Sequence, residues 1–150
     1  MKKNKLVILS ASLLALAVIV IAILLMSKPN IASSISVGEA MTLAENGDIV
    51  LVDMRSDIAC GKTGKPKNAI HIALQKKEKS LDYLNRVRTL LDKDGTKTLG
   101  FICNTGQTSS DFVNQFIELG VKNVTSVQGG MHLKDGWLDK KLPREACSKK

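Results

Sequence analysis

Between residues 98 and 119 the chain changes character twice, and no other stretch restricts the fold so much. Thr98-Leu99-Gly100-Phe101-Ile102 is apolar and β-prone, Cys103-Asn104-Thr105-Gly106-Gln107-Thr108-Ser109-Ser110 is polar with one glycine, and residues 111–119 repeat apolar side chains at helical spacing. A short buried strand that runs directly into a helix is half of a βα unit, and such units build parallel sheets. The junction places Cys103 at the carboxyl end of the strand, facing a helix N-terminus. There the unpaired backbone N–H groups converge and the helix dipole favours an anion. A cysteine in that position suits nucleophilic chemistry. The plainer reading, a small hydrophobe that ends a strand, stands beside it.

The rest of the chain repeats the strand and helix alternation. Ser36-Val37-Gly38-Glu39 has the form of a capping box and predicts a helix to about Asn46, stopped by Gly47. Ile49-Val50-Leu51-Val52, ending in Asp53, suits a strand covered on both faces. Ala69-Ile70-His71-Ile72 is a further short strand, and Leu81, Leu84, Val87, Leu90 and Leu91 form a helical stripe closed by Asp94-Gly95. Val124 to Val127 completes the set. The pattern predicts an α/β layer with a mainly parallel sheet. Ligands of such sheets bind beyond the carboxyl ends of the strands, where Asp53-Met54-Arg55 and Cys103 both fall.

Residues 6–26 are uncharged, with Ser10 and Ser12 as their polar side chains, and follow Lys2, Lys3 and Lys5. About 20 apolar residues suffice to span a bilayer. The expectation is an uncleaved signal anchor rather than a cleaved signal peptide, with the N-terminus cytoplasmic and the domain periplasmic or otherwise extracytoplasmic at the cell membrane. The formal charge is +8, and runs such as Lys62, Lys65 and Lys67 or Lys76, Lys77 and Lys79 read as solvated surface. One Trp, one Tyr and three Phe are too few for a stacking platform, which argues against a nucleic-acid partner. Three cysteines, Cys60, Cys103 and Cys147, fit no zinc spacing, and which of them pair is left open. With His71 on an apolar strand and His132 as the other histidine, neither a metal nor a cofactor is expected.

In order and spacing, these landmarks resemble the rhodanese (sulfurtransferase) family over residues 35–143. Ile49-Val50-Leu51-Val52-Asp53-Met54-Arg55 looks like its opening strand with a D-x-R signature. Thr63-Gly64-Lys65-Pro66-Lys67-Asn68-Ala69-Ile70-His71-Ile72 is similar to its second strand segment. Residues 103–108 match the six-residue active-site loop, and Leu119-Gly120-Val121-Lys122-Asn123-Val124 matches the segment that follows it. Gln128-Gly129-Gly130-Met131 resembles the double-glycine turn, and Gly136-Trp137 with Leu142-Pro143 the closing motif. The resemblance implies a rhodanese-like three-layer α/β/α domain with a mainly parallel central sheet, preceded here by one transmembrane helix. Its implied partition is a basic N-terminus (1–5), an anchor (6–26), a linker (27–34), the domain (35–143) and a basic tail (144–150).

The resemblance also implies persulfide chemistry, with Cys103 carrying sulfane sulfur from thiosulfate, mercaptopyruvate or a low-molecular-weight persulfide to a thiol or cyanide-like acceptor. Asn104, Thr105, Gly106, Gln107, Thr108 and Ser109 would form the substrate and anion-binding loop; Asp53 and Arg55 would support it or, in the plainer reading, form a structural salt bridge or strand-end hydrogen bond. The implied partners are the small sulfur donor and its acceptor; the apolar run at residues 6–26 adds the lipid bilayer as an expected partner. This loop carries no Arg or Lys, which argues against a dianionic donor such as thiosulfate, and Lys65 replaces the family's histidine. Ser109 stands where a cysteine phosphatase needs its arginine clamp, which argues against phosphatase chemistry. The rival readings are a catalytically weak binding or sensor module and a thiol redox protein. In the persulfide reading Cys147 is an incidental exposed thiol, or exchanges with Cys103.

Overall fold

Ile49-Val50-Leu51-Val52-Asp53 shows why the core has two halves. In the computed structural model, which describes residues 33–147 apart from residue 94, this run is a strand whose side chains alternate between the two faces of a sheet. Ile49 and Leu51 join one apolar cluster with Ile35, Val37, Ala40 and Trp137. Val50 and Val52 meet the other, with Tyr83, Phe101 and Phe116. A continuous apolar run is what a strand covered on both faces requires.

In chain order the strands are β1 (Ser34–Ile35), β2 (Ile49–Asp53), β3 (Lys65–Pro66), β4 (Ile70–His71), β5 (Thr98–Ile102), β6 (Val124–Val127) and β7 (Arg144–Glu145). The helices are α1 (Val37–Asn46), α2 (Asp57–Thr63), α3 (Ser80–Leu91) and α4 (Gln107–Glu118). Five strands form one sheet in the order β1-β6-β5-β2-β4, each parallel to its neighbours. β2 and β5 pair from Ile49 opposite Thr98 to Asp53 opposite Ile102, so the two strands end level. That level end is where the chemistry-bearing residues collect.

α1 covers one face through Val37 and Ala40. Its start is fixed by Ser36, whose hydroxyl accepts from the Glu39 amide at 3.2 Å, and its end by Gly47 at φ +78°. α3 and α4 cover the other face through Tyr83, Leu84, Val87, Val113 and Phe116. There the rings of Tyr83, Phe101, Phe112 and Phe116 meet in tilted or edge contacts at centroid separations of 5.8 to 6.1 Å. This is the expected three-layer α/β/α arrangement.

Four elements were absent from the sequence reading: β1, α2, β3 and β7. α2 is capped by Ser56, whose hydroxyl accepts from the Ala59 amide at 3.3 Å. β3 pairs antiparallel with β7, which brings the tail back onto the domain, with Lys65 opposite Glu145. At the other end, Ser34 belongs to the sheet edge and pairs with Ser126.

The membrane expectation is corrected. Among the described residues no helix is long and apolar enough to cross a membrane. The longest, α3 and α4, have 12 residues each, and a helix of that size spans about 18 Å against the roughly 30 Å of a hydrocarbon core. The expected anchor at 6–26 lies outside the described residues. Among the described residues the fold is therefore the α/β/α domain, with no membrane-spanning helix. The bilayer partner and the membrane location, with its cytoplasmic N-terminus and extracytoplasmic domain, are withdrawn.

Candidate active site

β5 delivers Cys103 to the carboxyl edge of the sheet, and the loop then closes on the sulfur through its own main chain. Gly106, at φ +85°, is the N-cap of α4, and its amide donates to Cys103 Sγ at 3.1 Å. Ser109, fully buried on the first turn of α4, places Oγ 3.5 Å from the same sulfur and 3.1 Å from the Gly106 carbonyl oxygen. Cys103 itself is 6% exposed. Asn104, Thr105, Gln107 and Thr108 are exposed around it, while Gly106 is buried with the sulfur. The loop thus brings together all the residues expected of it, in two roles. Gly106 and Ser109 face inward, and the other four form the rim.

The floor of the loop is the turn after β6. The Met131 amide donates to the Cys103 carbonyl at 3.0 Å and the His132 amide to the Asn104 carbonyl at 2.8 Å. Gly130, at φ +52°, lies so close beneath that a Cβ there would sit 2.5 Å from the Cys103 carbonyl oxygen and 2.6 Å from the Gly106 nitrogen. Only glycine permits both that approach and that backbone angle. The adjacent glycines 129 and 130 after a buried strand were the visible signal; their contact with the cysteine loop was not.

Asp53 and Arg55, both buried, are spent on each other. Arg55 Nε donates to Asp53 Oδ1 at 2.9 Å and Nη2 donates to Oδ2 at 2.6 Å. The remaining contacts run to the end of α2, with Nη1 donating to Thr63 Oγ1 at 2.8 Å and Nη2 to the Gly64 carbonyl at 2.6 Å. This bidentate pair fixes the chain beyond β2 rather than offering a free cation to a substrate. Met54, Arg55, Ser56 and Leu74 nevertheless line, with Cys103, Asn104, Thr105 and Thr108, a cleft of about 220 Å³. Its one charged lining residue is already paired.

Leu74 is held over this cleft by a clamp that the sequence reading missed. Arg86 donates to Glu78 through Nε (2.9 Å) and Nη2 (2.7 Å), and Nη2 also donates to the Ala73 carbonyl at 2.9 Å. The Arg86 guanidinium holds the Glu78 carboxyl below its ordinary range, and Glu78 in turn raises Arg86. The same guanidinium lies 5.2 Å from the centroid of the Tyr83 ring, whose phenol is pushed up by burial and donates to the Ile72 carbonyl at 2.7 Å.

Cys103 is the free cysteine of the described residues, because Cys60 and Cys147 form a disulfide. Cys147 is therefore not an incidental exposed thiol, nor is it available to exchange with Cys103 in this state. β3 and β7 pair just before it in the chain and deliver it to Cys60 on α2.

A family model described as the rhodanese-like domain matches residues 36–134. The chain belongs to that family. Among solved structures, this rhodanese-like domain is similar to the polysulfide-sulfur transferase homodimer of Wolinella succinogenes. The two are 29% identical, with 77% of this chain and 79% of that one covered at a TM-score of 0.53. The rhodanese-like domain of an Anabaena protein is 16% identical, with 78% and 81% covered at a TM-score of 0.59. A Rhodopseudomonas palustris protein described as a possible tyrosine phosphatase is 21% identical, with 75% and 84% covered at 0.54. At 16% and 21% identity these last two speak to the fold alone. No curated protein matches the chain. Fold and family together are consistent with sulfur-transfer chemistry in general.

Proposed function

We propose that this rhodanese-like protein is a sulfurtransferase that carries sulfane sulfur on Cys103. The observation that supports it most is the Gly106 amide aimed at Cys103 Sγ from 3.1 Å inside a cleft whose charge is already paired. In the first step the Cys103 thiolate attacks the outer sulfur of a donor R–S–S⁻, forming Cys103–S–S⁻ as the donor's S–S bond breaks and RS⁻ leaves. In the second, an acceptor thiolate R′S⁻ attacks that outer sulfur and leaves as R′–S–S⁻, which restores the Cys103 thiolate. Every species on the enzyme is an anion, and preorganised N–H donors and the helix N-terminus stabilise it without a metal or a general base. Asn104, Thr105, Gln107 and Thr108 on the rim, none of them charged, suit a persulfide or polysulfide donor better than thiosulfate, whose two charges call for cations. The Wolinella relative, named for polysulfide-sulfur transfer, supports the same donor class.

Intact-mass spectrometry after exposure to glutathione persulfide, inorganic polysulfide or thiosulfate tests the reading. The expected result is a gain of about 32 Da, one sulfur atom, that cyanide removes and the Cys103→Ser variant lacks, larger with persulfide or polysulfide than with thiosulfate. Failure of every donor to add sulfur, while Cys103 still alkylates readily, would overturn it.

A further inference from the structure

We infer that the Cys60–Cys147 disulfide is the oxidised form of a metal site for a zinc-type divalent cation, completed by His71. One ligand atom from each of Cys60, His71 and Cys147 lies within 4.8 Å of the other two. The histidine is prepared for the role. Its Nε2 lies 2.8 Å from the Arg55 carbonyl oxygen, which can only accept, so the proton sits on Nε2. In the neutral ring Nδ1 then offers its lone pair to a ligand, and a ligating histidine is ordinarily oriented by just such a bond from its other nitrogen to a carbonyl. Nδ1 faces α2, where Asp57 Oδ1 lies 3.7 Å away and Cys60 follows Asp57 by one helical turn.

Cys147 does not depend on the disulfide to stay near. The Lys67 amide donates to the Pro143 carbonyl at 3.0 Å, Arg144 Nη1 donates to the Thr63 carbonyl at 2.6 Å, and Lys65 pairs with Glu145. A Cβ on Gly64 would sit 2.7 Å from the Glu145 carbonyl oxygen, so the tail is seated directly against the end of α2. The Cα atoms of the two cysteines are 5.9 Å apart, a span that serves a disulfide or two thiolates on one ion. Tetrahedral zinc holds sulfur at about 2.3 Å and imidazole nitrogen at about 2.0 Å, so ligand atoms on one ion stand roughly 3.4–3.8 Å apart. The exposed Asp57 or a water fills the fourth position, and the soft thiolate pair selects zinc over magnesium or calcium.

The two states interconvert by a balanced exchange. A dithiol R(SH)₂ gives two electrons and two protons to the Cys60–Cys147 bond, yielding two thiols and the cyclic disulfide of R. Zinc then displaces one proton from each thiol to solvent and takes the lone pair of His71 Nδ1. Disulfide and metal are mutually exclusive, so the site is gated by thiol redox state.

Cobalt(II), a visible stand-in for zinc, provides the test on the full chain after reduction and removal of the reductant. One Co²⁺ per chain should bind with the intense absorption of tetrahedral thiolate coordination and be displaced by Zn²⁺, while the disulfide form gives no such bands. His71→Gln and Cys147→Ser should each weaken binding by about tenfold or more, with circular dichroism confirming that each variant is folded. Cys103→Ser should leave the bands intact. Absence of the bands from the reduced chain, wild-type affinity in both ligand variants, or loss of the bands with Cys103→Ser would overturn the assignment.

Discussion

Cys103 is surrounded by main-chain amides and uncharged side chains, whereas Cys60 and Cys147 sit among an imidazole, an ion pair and a covalent bond. The first corner is shaped by backbone conformation: Gly106 and Gly130 at positive φ, and amides that meet the carbonyls of residues 103 and 104. The second is shaped by side-chain chemistry that responds to its surroundings. The contrast shows how one domain keeps one cysteine free while it bonds two others together. Geometry encloses the free one, and bonding consumes the other two.

Removing the bond is the strongest way to break that contrast. Replacing Cys60 and Cys147 together by serine should lower stability by about 2–5 kcal/mol in urea unfolding, since the link closes a long stretch of chain. Sulfur loading of Cys103 should survive in the folded fraction. Equal loss of loading and stability would mean that the two corners are coupled. Gly130→Ala attacks the other corner. With a Cβ forced to within 2.5 Å of the Cys103 carbonyl oxygen, it should cost about 1–3 kcal/mol and slow persulfide formation more than alkylation by a small reagent. An unchanged loading rate would show that the floor of the loop does not set the position of the sulfur.

The smallest effect lies at the clamp over the cleft. Because Glu78 is held below the ordinary carboxylate value of 4.5, its contribution is complete above that value and is lost as pH falls through its lowered folded-state value. Glu78→Gln should cost about 0.5–1 kcal/mol at neutral pH, and the difference from wild type should vanish in acid. A difference that persists once the carboxyl is protonated in both states would place the effect in packing rather than charge.

Local features carried the legible part of the fold. α1 could be read from Ser36 and Gly47, β2 and β5 from unbroken apolar runs, and the cysteine loop from a strand that changes abruptly into a helix. What stayed hidden depends on partners distant in sequence. β3 and β7 are two residues each and have meaning only as a pair, and the disulfide joins residues separated by 87 positions. α2 was obscured by Gly61 and by a lysine-rich stretch that reads as loop. The D-x-R spacing allowed a salt bridge between Asp53 and Arg55 to be expected, but nothing in the sequence reveals that Thr63 and the Gly64 carbonyl take up the remaining donors of Arg55.

The division of the Cys103 loop into an inward amide and an outward rim has a consequence for how such a protein changes over generations. The Cys103 sulfur is met by a peptide N–H, a feature every amino acid except proline possesses, so this contact does not depend on which side chains occupy residues 104, 105, 107 and 108. Those four can change by single substitutions, each one leaving that amide contact in place. Gly106 and Gly130 cannot drift, because their contribution is the absence of a side chain.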